Sequence, residues 1–483
     1  MKTIEEQLKD NALLTPDKIA LIGNGQEITY KQLWSFCLLT AKRLKEEFGI
    51  LKGDRVILSA TGNIEFVYVY FGVHIAGGIA VPIDPDTNQT RFDYINESTL
   101  PRCIIGHLHK VQDTTIAFEN VVCMEGEEIE FNFPNQDDIA DILFTTGTTG
   151  APKGVTLSYR NQSVAAWQIN KFIGNTAEDV ELLALPVSHS FGLGRVRCIL
   201  SKGGTLVMLG TFANMKRFFG DMKEYGVTGF GMVPASWSFI KKFSGKYIGK
   251  FANQLKYIEI GSSFMPLEDK ELLMELLPYT SINMHYGLTE ASRSAFMEFH
   301  TEKNNLTTAG KASPGVEIAI FDTSGEQVEF GQEGEVCVKG GHVCTSYWGD
   351  SSDKFSEDFY DGYFRTGDCG IMDSDGYIYL KSRIKEMINV GGKKVSPMEV
   401  EDILNTIPGI TASACVGIKD PDAVLGEVVK AYIVCSDETL TDKDIITKLT
   451  PELEVYKIPV QFERISEIPK TSSGKIQRLM LKQ

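Results

Sequence analysis

No Cys-x-x-Cys pair occurs anywhere in the chain. Its nine cysteines (Cys37, Cys103, Cys123, Cys198, Cys337, Cys344, Cys369, Cys415 and Cys435) are scattered and odd in number. That pattern argues against a disulfide framework or a zinc site and fits reduced, mostly core thiols in the cytoplasm. An excess of positive charge is lacking as well. The formal net charge of -16 speaks against broad nucleic-acid or anionic-membrane binding, so an anionic substrate has to be held by local positive groups. The opening MKTIEEQLKDNALL has no charged-then-apolar layout of a secretory signal. One apolar run, Phe66 to Ile83, approaches the length of a membrane span. His74, Gly77, Gly78 and Pro82 interrupt it, which predicts a helix, a turn and a buried strand, and no membrane span. Neither a tandem repeat nor a low-complexity linker divides the chain, so domain boundaries are expected to be tight.

What is present is ordinary globular composition, 43% hydrophobic and 23% charged over 483 residues, enough for two or more domains. Short apolar runs such as RVILSA, GIAVPID, ELLALPV, GTLVML, VTGFGMVP and YIEIGSS read as buried strands. Amphipathic stretches such as NMKRFFGDMKEYG and LEDKELLMELLP lie between them. This alternation predicts an α/β fold with doubly wound, mostly parallel sheets over the first two-thirds of the chain. From about residue 315 the pattern turns strand-rich (GVEIAIFD, GEVCVKG, GYIYLKS). The last hundred residues read as a small α+β domain.

Five segments carry candidate chemistry. LFTTGTTGAPKG (143–154) combines hydroxyls, glycines and Lys153; its backbone N–H groups suit phosphate, but the glycines and lysine miss the P-loop register. A mobile surface turn is the alternative reading. MHYGLTE places Tyr286, Gly287, Thr289 and Glu290 at a strand end, where open α/β sheets bind ligands. There Glu290 suits a hard cation such as Mg²⁺, and Tyr286 suits stacking on a base. YFRTGD offers Asp368 for a ribose diol. SRIKEMINVGGKKVSP sets Arg383, Lys385, Lys393 and Lys394 around Gly391 and Gly392, and PKTSSGKIQR carries Lys475 near the C-terminal end. Taken singly, each also reads as a turn or a solvated basic loop.

Together and in this order, the five segments closely resemble the adenylate-forming superfamily: acyl- and aryl-CoA ligases, adenylation domains of peptide synthetases, and beetle luciferases. The likeness runs from TPDKIALI to Arg478 and is strongest to the AMP-forming acyl- or aryl-CoA ligases. It implies ATP-dependent activation of a small-molecule carboxylic acid to an acyl-adenylate with release of pyrophosphate. The acyl group would then pass to the thiol of CoA, or to the phosphopantetheine of an acyl carrier protein. A catalytically silent relative is the third reading, which intact Lys475 and Glu290 oppose.

By the same resemblance, Thr145, Thr146, Gly147, Thr148, Thr149 and Lys153 would hold the leaving phosphates. Thr289 would contact the α-phosphate and Glu290 the Mg²⁺. Gly261, Ser262, Ser263, Tyr286 and Gly287 would line the adenine slot, with Asp368 and Arg383 on the ribose. Lys475 would bridge carboxylate and phosphate. The domains implied are 1–382, with a β-rich part from about 315, and a mobile 383–483 turning about Lys385. That rotation would bring Gly392 and its neighbour Gly391 to the thiol. Lys393 and Lys394 are either partners for CoA phosphates or solvated.

For the acid itself, the resemblance puts His189 and Phe191 at the pocket mouth and lets Val233, Ala235, Met284 and His285 shape an uncharged pocket. No Asp or Glu occurs between His189 and Gly210, so an ordinary α-amino acid is not expected. Arg293 is either a clamp for a second anion on the substrate or a structural arginine. The sequence leaves the acid and the oligomeric state open.

Overall fold

The computed structural model describes residues 1–112, 115–127, 133–145, 152–421, 425–437, 439–471 and 475–482. The chain divides into two compact units. One comprises Met1–Glu317 with Val338–Phe359; the other comprises Ile318–Cys337 with Tyr360–Gln483. The strand-rich stretch predicted from residue 315 is thus shared between them.

The first unit holds two sheets. In the nine-stranded one, Ser281–Tyr286, Tyr257–Ile260, Gly229–Met232, Val180–Leu183, Thr205–Met208 and Ile19–Gly23 run parallel in that spatial order. Antiparallel strands close it at both edges. The six-stranded sheet has a parallel core of Cys103–Ile105, Arg55–Ser59, Ile79–Ile83 and Ile139–Phe144. It ends in the antiparallel pair Gly154–Ser158 and Ser346–Tyr347. Parallel strands carry helices on their faces, so both sides are buried and the strands read as apolar runs; Arg55–Ser59 and Ile79–Ile83 are the clearest cases. The interrupted run resolves as predicted: the helix Ile64–Ala76 stops at Gly77 (φ 90°) and the strand Ile79–Ile83 follows. Among the described residues no helix is long and apolar enough to cross a membrane.

In the second unit Tyr363–Met372 pairs antiparallel with Ile378–Arg383. A three-stranded sheet of Ile410–Lys419, Glu427–Cys435 and Gln461–Arg464 packs its apolar face under the helices Pro397–Leu404 and Asp442–Leu449. None of the nine cysteines forms a disulfide, and six are buried.

Candidate active site

Open parallel sheets bind ligands beyond the carboxyl ends of their strands, and the first unit gathers predicted residues at four adjacent ends. His189 follows Val180–Leu183 and takes the N-cap position of helix Ser190–Lys202. Val233 follows Gly229–Met232 and caps helix Pro234–Ser244, whose first turn carries the exposed Ala235. Gly261, Ser262 and Ser263 follow Tyr257–Ile260, and Met284, His285 and Tyr286 end the neighbouring strand Ser281–Tyr286. Ser262 holds φ at +77°, a left-handed conformation that costs a non-glycine residue free energy and concentrates at functional turns. Gly287 has no room for a side chain, since a Cβ there would sit 2.4 Å from the Arg293 backbone nitrogen.

The Thr/Gly segment leaves Ile139–Phe144 and returns as Gly154–Ser158. Thr145 donates its backbone N–H to the Lys153 carbonyl at 3.0 Å, closing the base of that connection. Thr146, Gly147, Thr148 and Thr149 lie outside the described residues. Lys153 stands with Nζ 4.2 Å above the Tyr347 ring, and the Tyr347 hydroxyl donates to Glu290 Oε1 at 3.2 Å. Burial pushes the Tyr347 phenol far above its ordinary value, with Glu290 adding to the effect, so it stays a donor. The Glu290 carbonyl accepts from the Cys344 N–H at 2.7 Å. Backbone and side chain of Glu290 are therefore both fixed by the 344–347 stretch.

No group of three or more His, Cys, Asp or Glu side chains gathers around a metal position among the described residues. A single oriented carboxylate suits Mg²⁺, which keeps waters and takes most of its ligands from substrate phosphates. Glu290 fits that role.

Beside these groups lies a fully buried charged cluster. Glu259 Oε1 accepts from Arg293 Nε at 3.0 Å; Arg195 Nη1 stands 3.1 Å from Oε2 and His285 Nδ1 2.8 Å from Oε1, charge contacts that are not aligned as hydrogen bonds. Arg195 also pairs with Glu181. Burial alone would raise the Glu259 carboxyl, but Arg293 and Arg195 outweigh it and hold it well below the usual range. Arg293 is 2% exposed. Three more of its five N–H groups go to the carbonyls of Ser190 and Phe191 and to the Ser292 hydroxyl, at 2.9, 3.0 and 2.9 Å. With its guanidinium committed to the protein, the geometry supports the structural reading of Arg293 over the substrate clamp. Phe191 lies under that guanidinium and meets the His285 ring edge-on at 4.7 Å.

A Cβ on Gly261 would fall 2.1 Å from His285 Cε1 and Nε2. Gly261→Ala is therefore expected to overpack the cluster by about 1–3 kcal/mol, seen as a lower thermal midpoint together with a raised KM for the acid. A variant normal in both measurements would show that the close approach has no consequence.

The second unit assembles the other predicted groups. Asp368 faces Arg383 across the antiparallel pair, with Arg383 Nε 2.8 Å from Asp368 Oδ1 and Nη1 2.8 Å from the Thr366 carbonyl. Lys385 is exposed in the 3₁₀ turn Ile384–Glu386. Gly391 and Gly392 form the two-residue loop between Ile388–Val390 and Lys393–Val395, with φ of 57° and 86°. A hairpin loop of that length favours positive φ at both positions, so the turn alone accounts for two glycines. A Cβ at Gly392 would meet nothing within 4 Å, whereas one at Gly391 would press on Leu425 at 2.9 Å. Lys475 exchanges backbone contacts with Thr471: its carbonyl accepts at 2.8 Å, and its N–H reaches Thr471 Oγ1 at 3.1 Å.

Sequence reasoning missed four residues. Tyr347 and Arg478 have no local signal. Arg478 ties the Lys475 segment to Glu401 at 2.7 Å and to Glu386, beside Lys385, at 3.1 Å. Glu259 and Arg195 did leave one: a glutamate inside the buried run YIEI, and an arginine inside a helix that is otherwise largely buried. Buried charges come paired.

Residues 8–348 match the model of the AMP-binding enzyme family, and residues 399–475 match that of the AMP-binding enzyme C-terminal domain. The chain belongs to the AMP-binding enzyme family. Among curated members, it is 28% identical to the fatty acid–[acyl-carrier-protein] ligase ScoC of Streptomyces coeruleorubidus, over 100% of this chain and 96% of that protein. It is also 28% identical to the oxalate–CoA ligase of Arabidopsis thaliana, over 100% and 98%. Among solved members, o-succinylbenzoate CoA synthetase (MenE) from Bacillus subtilis, in complex with its acyl-adenylate intermediate, superposes with a TM-score of 0.89. That likeness holds at 27% identity over 99% of this chain and 98% of that one. The same synthetase with ATP and magnesium gives 0.88 at 26% identity, over 99% of each chain.

Proposed function

We propose that this AMP-binding enzyme activates a carboxylic acid with ATP and passes the acyl group to the thiol of CoA. The observation that carries the reading is the Lys153–Tyr347–Glu290 chain, which fixes a cation and a carboxylate beside the Thr/Gly connection. The acid's carboxylate oxygen attacks the α-phosphorus of ATP; the bond to the β-phosphate bridging oxygen breaks, and its electrons leave on pyrophosphate. Charge builds on the phosphate oxygens in that step, so fixed cations and N–H donors aimed at them lower the barrier. Lys153 and the N–H groups of 145–149 would serve the leaving phosphates, and Thr289 the α-phosphate. Asp368 and Arg383 would hold the ribose, and Lys475 would join the two reacting anions as a compact charge with rotatable donors. Mg²⁺ on Glu290 would neutralise phosphate charge when bound.

In the second step the thiol sulfur bonds to the acyl carbon and AMP leaves. The C-terminal part would turn about Lys385 between the steps, withdrawing Lys475 and presenting Gly392. Cysteines that form no disulfide suit a cytoplasmic setting. The acceptor has a second reading, the phosphopantetheine of an acyl carrier protein, which the similarity to a fatty acid–[acyl-carrier-protein] ligase favours.

A screen of acid-dependent pyrophosphate release over aromatic, fatty and dicarboxylic acids tests the first step. Silence with every acid would sink the proposal. Discharging the adenylate with free CoA, and separately with a holo carrier protein, decides between the acceptors.

A further inference from the structure

Arg478 opens the turn Arg478–Leu481, just past Lys475, and its guanidinium gathers three other parts of the second unit. Nη2 donates to both carboxylate oxygens of Glu401 at 2.7 Å, and Nε donates to the Cys415 carbonyl at 3.2 Å. Glu401 belongs to the helix Pro397–Leu404 and Cys415 to the strand Ile410–Lys419. The Cys415 N–H donates in turn to Glu401 Oε1 at 2.6 Å. The third part is the hinge turn: Nη1 stands 3.1 Å from Glu386 Oε2, and Glu386 directly follows Lys385. Upstream of Lys385 the strand pairing ends at Arg383, opposite Asp368; downstream it resumes at Ile388, opposite Val395. Glu386 lies in the short joint between them. Glu386 and Arg478 both lie beyond Lys385 in the chain, so a turn about that residue leaves their contact intact. The Ser396 hydroxyl, by contrast, donates to the Lys381 carbonyl across the joint, and such a turn breaks that bond.

We propose that the Arg478–Glu386 pair is a brace that carries the Lys475 segment and the hinge turn as one piece, which makes Arg478 a positioning residue for adenylate formation. The inference rests on the adenylation reading above and deepens it. A lysine is a point charge on a flexible stem, and it meets two reacting anions reliably only if its backbone is held. Arg478 holds that backbone to the domain through Glu401 and Cys415, and Glu386 refers it to the pivot. Without Glu386 the turn stays on the domain but loses its tie to the hinge.

Hydrogen exchange on the full chain tests the brace without any substrate. Glu386→Ala should raise exchange of the amides of 475–481 and 384–388 by about two- to fivefold, the range of a partly exposed ion pair. The helix Pro397–Leu404 should keep its wild-type rate. Glu386→Gln, whose amide oxygen still accepts, should give a smaller rise. Single-turnover assays with an acid found by the release screen test the positioning. Burial raises the Glu401 carboxyl to about 7, Asp402 adding to it, against the pull of Arg478 and the Cys415 N–H, so assays at pH 8 keep the clasp ionised. Glu386→Ala should slow adenylate formation by a factor of the same size and convert synthetic acyl-AMP to thioester at the wild-type rate. Unchanged exchange at 475–481, a rise spread over the whole second unit, or equal slowing of both half-reactions overturns the inference and leaves adenylation standing. Absence of release with all acids overturns adenylation and the positioning role together, and exchange at 475–481 still decides whether the brace exists.

Discussion

Lys475→Ala should lower acid-dependent pyrophosphate release by about 10²–10³-fold, the loss typical of removing one preorganised charge from a transition state. The same variant should convert synthetic acyl-AMP to thioester at close to the wild-type rate. The split follows from chemistry: only the first step brings two anions into contact, and only there is a bridging cation required. The fold supports a local effect, because the segment is held by Thr471, through its N–H and its hydroxyl on the Lys475 backbone, and by Arg478 on Glu401. Lys385→Pro should act in the opposite sense. It removes backbone freedom from the turn Ile384–Glu386 and so slows thioester formation more than adenylation. Single-turnover assays of each half-reaction provide the check. If both variants lost both steps equally while keeping their melting curves, alternation between two arrangements would be wrong for this protein.

Glu259→Gln should be the most destabilising single change at the substrate end of the site. The carboxylate is wholly buried and serves Arg195, Arg293 and His285 at once. Neutralising it leaves Arg195 with Glu181 and takes from Arg293 the carboxylate it pairs with, and removing one partner from a buried ion cluster costs about 3–5 kcal/mol. For a unit of this size that is a fall of roughly 5 °C in the thermal midpoint. The folded carboxyl is held below its ordinary value. Its contribution is thus complete above the unfolded carboxylate pKa and is lost only as pH falls through the depressed one, so calorimetry at neutral pH reports all of it. A shift of less than 1 °C would mean that the cluster relaxes to water.

The strand and helix order was legible because parallel strands buried on both faces leave continuous apolar runs, and Ile79–Ile83 and the interior of Arg55–Ser59 are such runs. The pairing of Asp368 with Arg383 was half legible: the two residues were assigned to the same ribose, and the strands Tyr363–Met372 and Ile378–Arg383 put them opposite each other. The support of Glu290 was not legible. Tyr347 comes from a two-residue strand too short to leave a periodic signal, and its partnership with Glu290 spans 57 positions. The role of Arg293 could not be settled from sequence either. A guanidinium free for substrate and one consumed by Glu259 and two backbone carbonyls are written with the same letter.

The short strand Ser346–Tyr347 also bears on biosynthesis. It covers the outer edge of Gly154–Ser158, and Thr156 Oγ1 takes its partner Ser346 from 190 positions downstream. At about 5–20 residues per second, a ribosome needs roughly 10–40 s to make that intervening stretch. Throughout that interval the edge of Gly154–Ser158 on the nascent chain lacks its native neighbour, and an unpaired strand edge is where another polypeptide can add. The first unit cannot finish folding as its sheets are made; it waits for a two-residue strand delivered late, and the same strand brings the tyrosine that orients Glu290.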